Sequence, residues 1–302
     1  MNLYEELGVR PIINAAAALT VLGGALMPNE VLTAMAGAAE SSVDMHELHV
    51  AAGKRLAELT NNEAGYVTSG CAAAVVLAIL GIRNGGDPSV LKGLPGSADA
   101  PDEVIMHAAH RIPYDPALAL AGGKIRQIGN VIQTFEWELE AAFTERTAAV
   151  FYVAGDHLSA PVLSLKDVVR IAHARGVPVL VDAAAQLPPV ENLWRFTRDD
   201  GADLVTFSGG KALRGPQASG FMVGRPDLIE AARQNGAPFQ RWARAMKVGK
   251  EEIAGLIAAV TRYVALDHEA IHREWQRVVD LWHEGLSGLE GINTSVDDIN
   301  EA

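Results

Sequence analysis

A single cysteine, Cys71, among 302 residues excludes an intrachain disulfide framework and suits a reducing compartment. No apolar run is long enough to span a bilayer: the longest, Cys71 to Ile82, is alanine-rich and falls short of the roughly 18 residues a span needs. The start, Met1-Asn-Leu-Tyr-Glu-Glu6, lacks the positive region and apolar core of a signal peptide. Basic residues are outnumbered, with Lys+Arg 25 against Asp+Glu 37 and a net charge of −12. That balance disfavours phosphate backbones, and no local basic patch offsets it, so a nucleic-acid partner is not expected. Neither repeats nor low-complexity tracts occur. What remains is a cytosolic globular chain of about two domains, with 49% hydrophobic residues to build a core.

Along the chain, an arm over residues 1–27 precedes predicted helices at Asn29–Ala39 and Asp44–Leu59, the second with Leu48, Ala52, Leu56 and Leu59 on one face. A short strand at Gly65–Thr68 feeds the apolar helix Cys71–Ile82. Asn84 to Pro101, rich in Gly, Pro, Asp and Ser, reads as a loop or lid. Strands and helices then alternate: strands at 103–106, 124–128, 148–153, 177–181, 204–207 and 220–223, and helices at 116–121, 135–143 and 165–175. Ser164-Leu-Lys-Asp167 resembles a capping box opening the last of these helices. Val177-Pro-Val-Leu-Val181 is the apolar run of a strand buried on both faces. The expected fold is α/β: a doubly wound, mostly parallel sheet with helices on both faces. Beyond Arg225 the chain reads as helical (225–234, 251–266, 269–286), and 292–302 as the first strand of a further unit.

The stretch Asp203-Leu-Val-Thr-Phe-Ser-Gly-Gly-Lys211 ends a strand in a glycine turn that presents one lysine. Glycine there lets the backbone approach a ligand, and Lys211 is read as the Schiff-base lysine of pyridoxal phosphate, against the alternative of a solvated loop lysine. Ligands of open parallel sheets bind at the carboxyl ends of the strands, and three further features fall there. Asp182 closes the valine-rich strand, where a carboxylate would keep a pyridine nitrogen protonated or serve as a helix cap. Thr68-Ser69-Gly70-Cys71 joins a strand to a helix, where free amides suit a phosphate, or form an ordinary cap; Ser208 is within reach of the same phosphate. His110 is a candidate for a ring stacked over the cofactor, or a partly buried histidine bonded to backbone.

Several stretches together resemble fold-type I pyridoxal phosphate enzymes, and within them the branch related to bacterial selenocysteine synthase (seryl-tRNA selenium transferase), which includes D-glucosaminate-6-phosphate ammonia-lyases. They are Leu7-Gly-Val-Arg-Pro-Ile-Ile-Asn14, Leu22-Gly-Gly24, His110-Arg-Ile-Pro-Tyr-Asp115, Val181-Asp-Ala-Ala-Ala-Gln186 with Pro188-Pro189, Ser208-Gly-Gly-Lys-Ala-Leu-Arg-Gly-Pro-Gln217 and Met246-Lys-Val-Gly-Lys-Glu251. The resemblance implies an aminotransferase-like fold with Lys211 bound to the cofactor and Asp182 under its nitrogen. It further implies Ser69, Gly70 and Ser208 near the phosphate and His110 over the ring; Gln186 and Cys71 are expected beside the cofactor, Cys71 as a small packing residue or a reactive thiol, and Asn14 of the arm at the substrate. It divides the chain into an arm and helix (1–45), a large cofactor domain (46–250) and the helical start of a C-terminal domain (251–302), most of which is left out by Ala302. A homodimer or larger homo-oligomer is implied, with the site built between subunits.

The expected reaction is α,β-elimination with ammonia release from a hydroxy amino acid or amino sugar acid phosphate. Arg241, Arg244 and Lys247 are candidates for an acidic substrate group, or simply solvated charges. Alternatives are a selenium transferase acting on aminoacyl-tRNA, disfavoured by the acidic balance, and a non-catalytic cofactor-binding scaffold. His268-Glu-Ala-Ile-His272 matches a zinc-protease spacing without a third ligand, so no metal is expected, and its helix is read as packing on the core. His46 and His49 are read as solvated.

Overall fold

A computed structural model describes residues 3–87, 90, 100–155, 158 and 162–296. Seven strands form one sheet in the order β1-β7-β6-β5-β4-β2-β3. They are β1 (Ala64–Thr68), β2 (Glu103–His107), β3 (Lys124–Ile128), β4 (Thr147–Val153), β5 (Val179–Asp182), β6 (Leu204–Ser208) and β7 (Gly220–Gly224). Strands β3, β2, β4, β5 and β6 are mutually parallel, and β7 runs antiparallel between β6 and β1. The expected α/β sheet is the observed one.

The helices are α1 (Leu3–Glu6), α2 (Asn29–Ala39), α3 (Met45–Leu59), α4 (Cys71–Asn84), α5 (Pro116–Leu120), α6 (Glu136–Ala142), α7 (Leu165–His173), α8 (Asn192–Arg198), α9 (Pro226–Asn235), α10 (Lys250–Val264) and α11 (His268–Leu286). Successive strand residues alternate between two cores because side chains on a strand point to opposite faces. Val179 and Val181 of β5 join Val150, Val205, Phe207 and Phe221 on the face covered by α3, α7, α8 and α10. Leu180 joins Met106, Phe151, Leu204 and Met222 on the face covered by α4, α5 and α9. With both faces dry, β5 carries no polar residue until Asp182 at its end.

Local chemistry sets several boundaries. Ser164 caps α7 by accepting from the Asp167 amide, and Asp44 caps α3 by accepting from the His46 and Glu47 amides. α4 stops at Gly85, in the left-handed region at φ 59°. Most of the loop read at 84–101 lies outside the described residues. α10 buries Ile253, Leu256, Ala259 and Val260 against α2 and α3.

Four expectations need correcting or extending. α8 lacked a sequence signal: its buried residues are only Asn192, Leu193 and Phe196. His49 is buried against Tyr66 rather than solvated, because α3 turns that face toward β1. α11 has no buried residue and leaves Trp275 52% exposed, so it does not pack on this core. Residues 292–296 form no strand, and those beyond lie outside the described residues.

Gly220, opening β7, is where the sheet meets the start of α4. A Cβ there would lie 2.6 Å from the Cys71 amide nitrogen and 2.8 Å from the Phe207 carbonyl oxygen, both backbone atoms that cannot swing aside. Gly220→Ala is therefore expected to destabilise the fold by about 1–3 kcal/mol, as overpacking does, and calorimetry showing an unchanged Tm would contradict this packing.

Candidate active site

The carboxyl ends of β1, β5 and β6 open on one side of the sheet. Thr68 at the end of β1 pairs with Gly220, which pairs in turn with Ser208 at the end of β6. Asp182 at the end of β5 is level with Thr206. Chain order along these strands thus brings the Ser69-Gly70 corner, Ser208 and Asp182 to the same edge.

The corner leaves backbone donors free. Gly70 precedes α4 at φ 146°, a conformation only glycine adopts readily, with no side-chain cap and open space where a Cβ would stand. A 14-residue helix therefore presents its first amides, those of Cys71 and Ala72, uncapped. Ser69 turns the other way: its hydroxyl donates to the Met246 carbonyl at 3.1 Å. This bond ties the Arg244–Met246 turn to the corner, so exposed Arg244 and Lys247 stand near it, with no charged partner among the described residues. Arg241 instead spends its guanidinium on the Gln234 carbonyl at 2.9 Å.

Asp182 is almost fully buried. Its Oδ1 accepts from the Ala184 amide at 2.9 Å and from the Cys71 thiol at 3.4 Å, and no described group donates to Oδ2. Burial raises the carboxyl pKa, opposed by the Ala184 amide, the Cys71 thiol and the charge of Lys211. Burial and Asp182 push the Cys71 thiol up, with Lys211 again pulling down. Lys211 therefore acts electrostatically on both groups.

The lysine turn is held from within and from the arm. Gly209 donates to Ser219 O at 2.9 Å, Gly215 to Gly209 O at 2.8 Å, and Arg214 to Lys211 O at 2.8 Å. The arm is stitched across it: Ala25 donates to Gly210 O at 3.0 Å, Arg214 Nε to Leu26 O at 2.8 Å, and Gln217 to Thr20 Oγ1 at 3.1 Å. Asn14, further back on the arm, makes only a local turn, accepting from Ala16 and donating to Ala17.

His110 is completely buried. Its Nδ1 accepts from Val153 at 3.2 Å, its Nε2 has no partner, and its ring meets those of Tyr152 at 4.5 Å and His107 at 4.9 Å. Val153 is in register with Asp182, so His110 lies one strand over from the carboxylate. Burial takes its pKa down to about 3, helped by His107, so the ring is neutral at physiological pH. Gln186 is also buried, its carbonyl accepting from Asn192 at 2.6 Å. Thr206, with Oγ1 3.2 Å from Cys71 Sγ, escaped the sequence reading; one threonine inside an apolar strand looks like a strand former and nothing more.

A cavity of about 990 Å³ opens at the opposite, amino ends of the strands, among His49, Lys54, Asp203, Arg225, Glu230 and Arg233. Its charges neutralise one another: Asp203 is paired with Arg225 at 2.9 Å and Glu230 with Arg233 at 2.7 Å. It shares no residue with the carboxyl-end site. Among the described residues, no three His, Cys, Asp or Glu side chains converge on a metal position, and His268 is engaged with the Tyr263 carbonyl at 2.8 Å. No helix of the described residues is long and apolar enough to cross a membrane.

Residues 12–278 match the L-seryl-tRNA selenium transferase family. D-glucosaminate-6-phosphate ammonia lyase of Salmonella typhimurium (strain 14028s / SGSC 2262) is 34% identical over 301 residues, 98% of this chain and 78% of the relative. A solved D-glucosaminate-6-phosphate ammonia-lyase superposes with a TM-score of 0.80 at 34% identity, over 87% of this chain and 70% of the other. A 5'-C-glycyluridine monooxygenase-decarboxylase of a Streptomyces species is 39% identical over 273 residues, 88% of this chain and 66% of the relative. The aspartate aminotransferase of Thermotoga maritima, at 15% identity and a TM-score of 0.60 over 99% of this chain and 78% of the other, shares the fold.

The buried histidines carry a pH dependence. Burial brings His49 and His107 down to about 4 and His110 to about 3, whereas an unfolded histidine titrates near 6.5. Between these values the unfolded chain binds protons that the native chain refuses, so stability is present above about pH 6.5 and is lost as pH falls toward 4. Urea midpoints measured from pH 7.5 to 4.5 are expected to fall steadily, and a flat profile would contradict the neutral, enclosed histidines.

Proposed function

The chain belongs to the L-seryl-tRNA selenium transferase family, and from that premise we propose that it is a pyridoxal phosphate-dependent lyase that releases ammonia from a hydroxy amino acid, with an amino sugar acid phosphate as substrate class. The observation that carries this reading is the meeting of a buried carboxylate, an uncapped helix start and the charge of Lys211 at one sheet edge. These features fit the cofactor: the cradle at Gly70 is open, and one oxygen of Asp182 has no partner among the described residues. The 34% identity to the ammonia lyase across 98% of the chain supports the reaction class.

Bound there, pyridoxal phosphate supplies an electron sink for the bond broken at Cα. The chain's own residues do the rest. The Cys71 and Ala72 amides would hold the phosphate, with Ser208 beside them, Ser69 anchoring the corner and Gln186 lining the site. Asp182 Oδ2 would accept from the protonated ring nitrogen in a charge-assisted hydrogen bond. Lys211 Nζ would take the Cα proton and pass it to the β-hydroxyl, which would leave as water. Water returns, and ammonia and a keto acid depart, so the net change is loss of ammonia. His110, neutral and without exposed surface, would support the site from one strand over and would not act as an acid. Arg244, Lys247 and Asn14 receive the acidic groups of the substrate.

The arm supports a homo-oligomer: Ile12, Ile13, Val21 and Leu26 are 65–100% exposed while the arm lies over the lysine turn, and a second copy of the chain would cover them. The single buried thiol suits a reducing, cytoplasmic setting. The −12 charge speaks against a tRNA substrate. A second reading, oxygen-dependent decarboxylation of a glycyl nucleoside, is favoured by the 39% identity to the Streptomyces protein.

Incubation of the cofactor-loaded protein with D-glucosaminate 6-phosphate is expected to release ammonia and keto acid in equal amounts. Lys211→Ala is expected to lower kcat by about 10²- to 10⁴-fold, the range for loss of a positioned acid–base group. Carbon dioxide release with oxygen uptake from a glycyl nucleoside, and no ammonia from the amino sugar acid, would overturn the lyase reading in favour of the second.

A further inference from the structure

Cys71 occupies a position that joins the two ends of the proposed cofactor site. Its backbone amide is the first of the uncapped donors of α4, while its side chain points at Asp182, 111 residues on, with Sγ 3.4 Å from Oδ1. The thiol is enclosed by protein, and burial together with the neighbouring carboxylate keeps it protonated. It is thus an S–H group with one hydrogen to give. Two acceptors stand within reach, Asp182 Oδ1 and Thr206 Oγ1, the latter 3.2 Å away. The anionic carboxylate is the stronger acceptor. Thr206 can send its own hydrogen to the Val181 carbonyl, 3.3 Å away, which leaves it free to flank the sulfur.

The consequence is an asymmetric carboxylate. Oδ1 is occupied by the Ala184 amide, in the turn after β5, and by the Cys71 thiol, on the first residue of α4, and Oδ2 by no described group. Of the two side-chain torsions of an aspartate, χ2, which turns the carboxylate plane, is broad in the absence of partners. Two donors on one oxygen fix it. We propose that Cys71 is a positioning residue whose S–H locks the Asp182 carboxylate with Oδ2 presented to the pyridine nitrogen, so that one side chain sets the link between phosphate cradle and ring. The inference rests on the cofactor reading above, and it assigns to the thiol a task different from redox or nucleophilic chemistry, which enclosure and a raised pKa disfavour.

Cys71→Ser and Cys71→Ala separate donation from packing, because the two accounts rank them in opposite order. Serine keeps a donor and strengthens it but is the worse apolar filler; alanine fills without donating. Two readouts apply: the equilibrium Kd for pyridoxal phosphate, and the pH midpoint of the absorbance band of the bound cofactor, with thermal unfolding of each variant as the control for folding. The expected result is that Cys71→Ser binds within about twofold of the wild type while Cys71→Ala binds about fivefold or more weakly, the scale of one modest hydrogen bond. The absorbance midpoint is expected to shift in Cys71→Ala and to be restored toward the wild type in Cys71→Ser. Equal affinity and equal midpoints in all three proteins, or serine weaker than alanine, would overturn the positioning role while leaving the cofactor reading intact. A wild-type protein that fails to bind pyridoxal phosphate would overturn both, and is distinguished by the absence of any absorbance band.

Discussion

A carboxylate with 7% exposure at the end of a central parallel strand is the constraint around which the rest is arranged. Burying such a group costs several kcal/mol unless donors and opposite charge replace the lost water. Asp182 receives one amide, one thiol and the field of Lys211, and Oδ2 has no partner among the described residues. That is an incomplete satisfaction, stable only because the surrounding strands fix the geometry, and it is the arrangement expected of a group whose last partner is a ligand.

The lysine turn depends on the same economy of backbone. Gly209 and Gly210 leave no side chains where Ser219 and Gln217 approach, so the turn is drawn back against β7 and over α10. The arm then adds three hydrogen bonds across it from Thr20, Ala25 and Leu26. Lys211 is thereby presented by a turn whose backbone is pinned on both sides, which limits the entropy lost when its amine is placed for chemistry. Meanwhile the apolar side chains of the arm, Ile12, Ile13, Val21 and Leu26, face outward.

Much of this was legible before any coordinates. The β-branched run at 177–181, the glycines around Lys211 and the strand–helix alternation reflect short-range rules of periodicity and turn chemistry, and β5, β6 and their parallel pairing follow from them. The candidate site residues Asp182, Ser208 and the Ser69-Gly70 corner fall at one sheet edge because strand ends in a parallel sheet must. Less legible were features that depend on partners distant in sequence. Thr206 gains meaning only from a cysteine 135 residues away, and Ser69 only from a carbonyl 177 residues away. His49 looked like one of a pair of surface histidines, yet the face it shares is closed by Tyr66. α11 has the pattern of a packed helix, Ile271, Trp275 and Trp282 included, but none of its residues is buried and Trp275 and Trp282 stand exposed. Periodicity reports that a face is apolar and not what covers it.

The central claim is that Lys211 is the residue joined to pyridoxal phosphate. Borohydride reduction of the cofactor-loaded protein, followed by peptide mass mapping, tests it directly. The account predicts a single pyridoxyl-modified lysine, on the peptide containing Ser208-Gly-Gly-Lys211; modification at another lysine, or none, would contradict it.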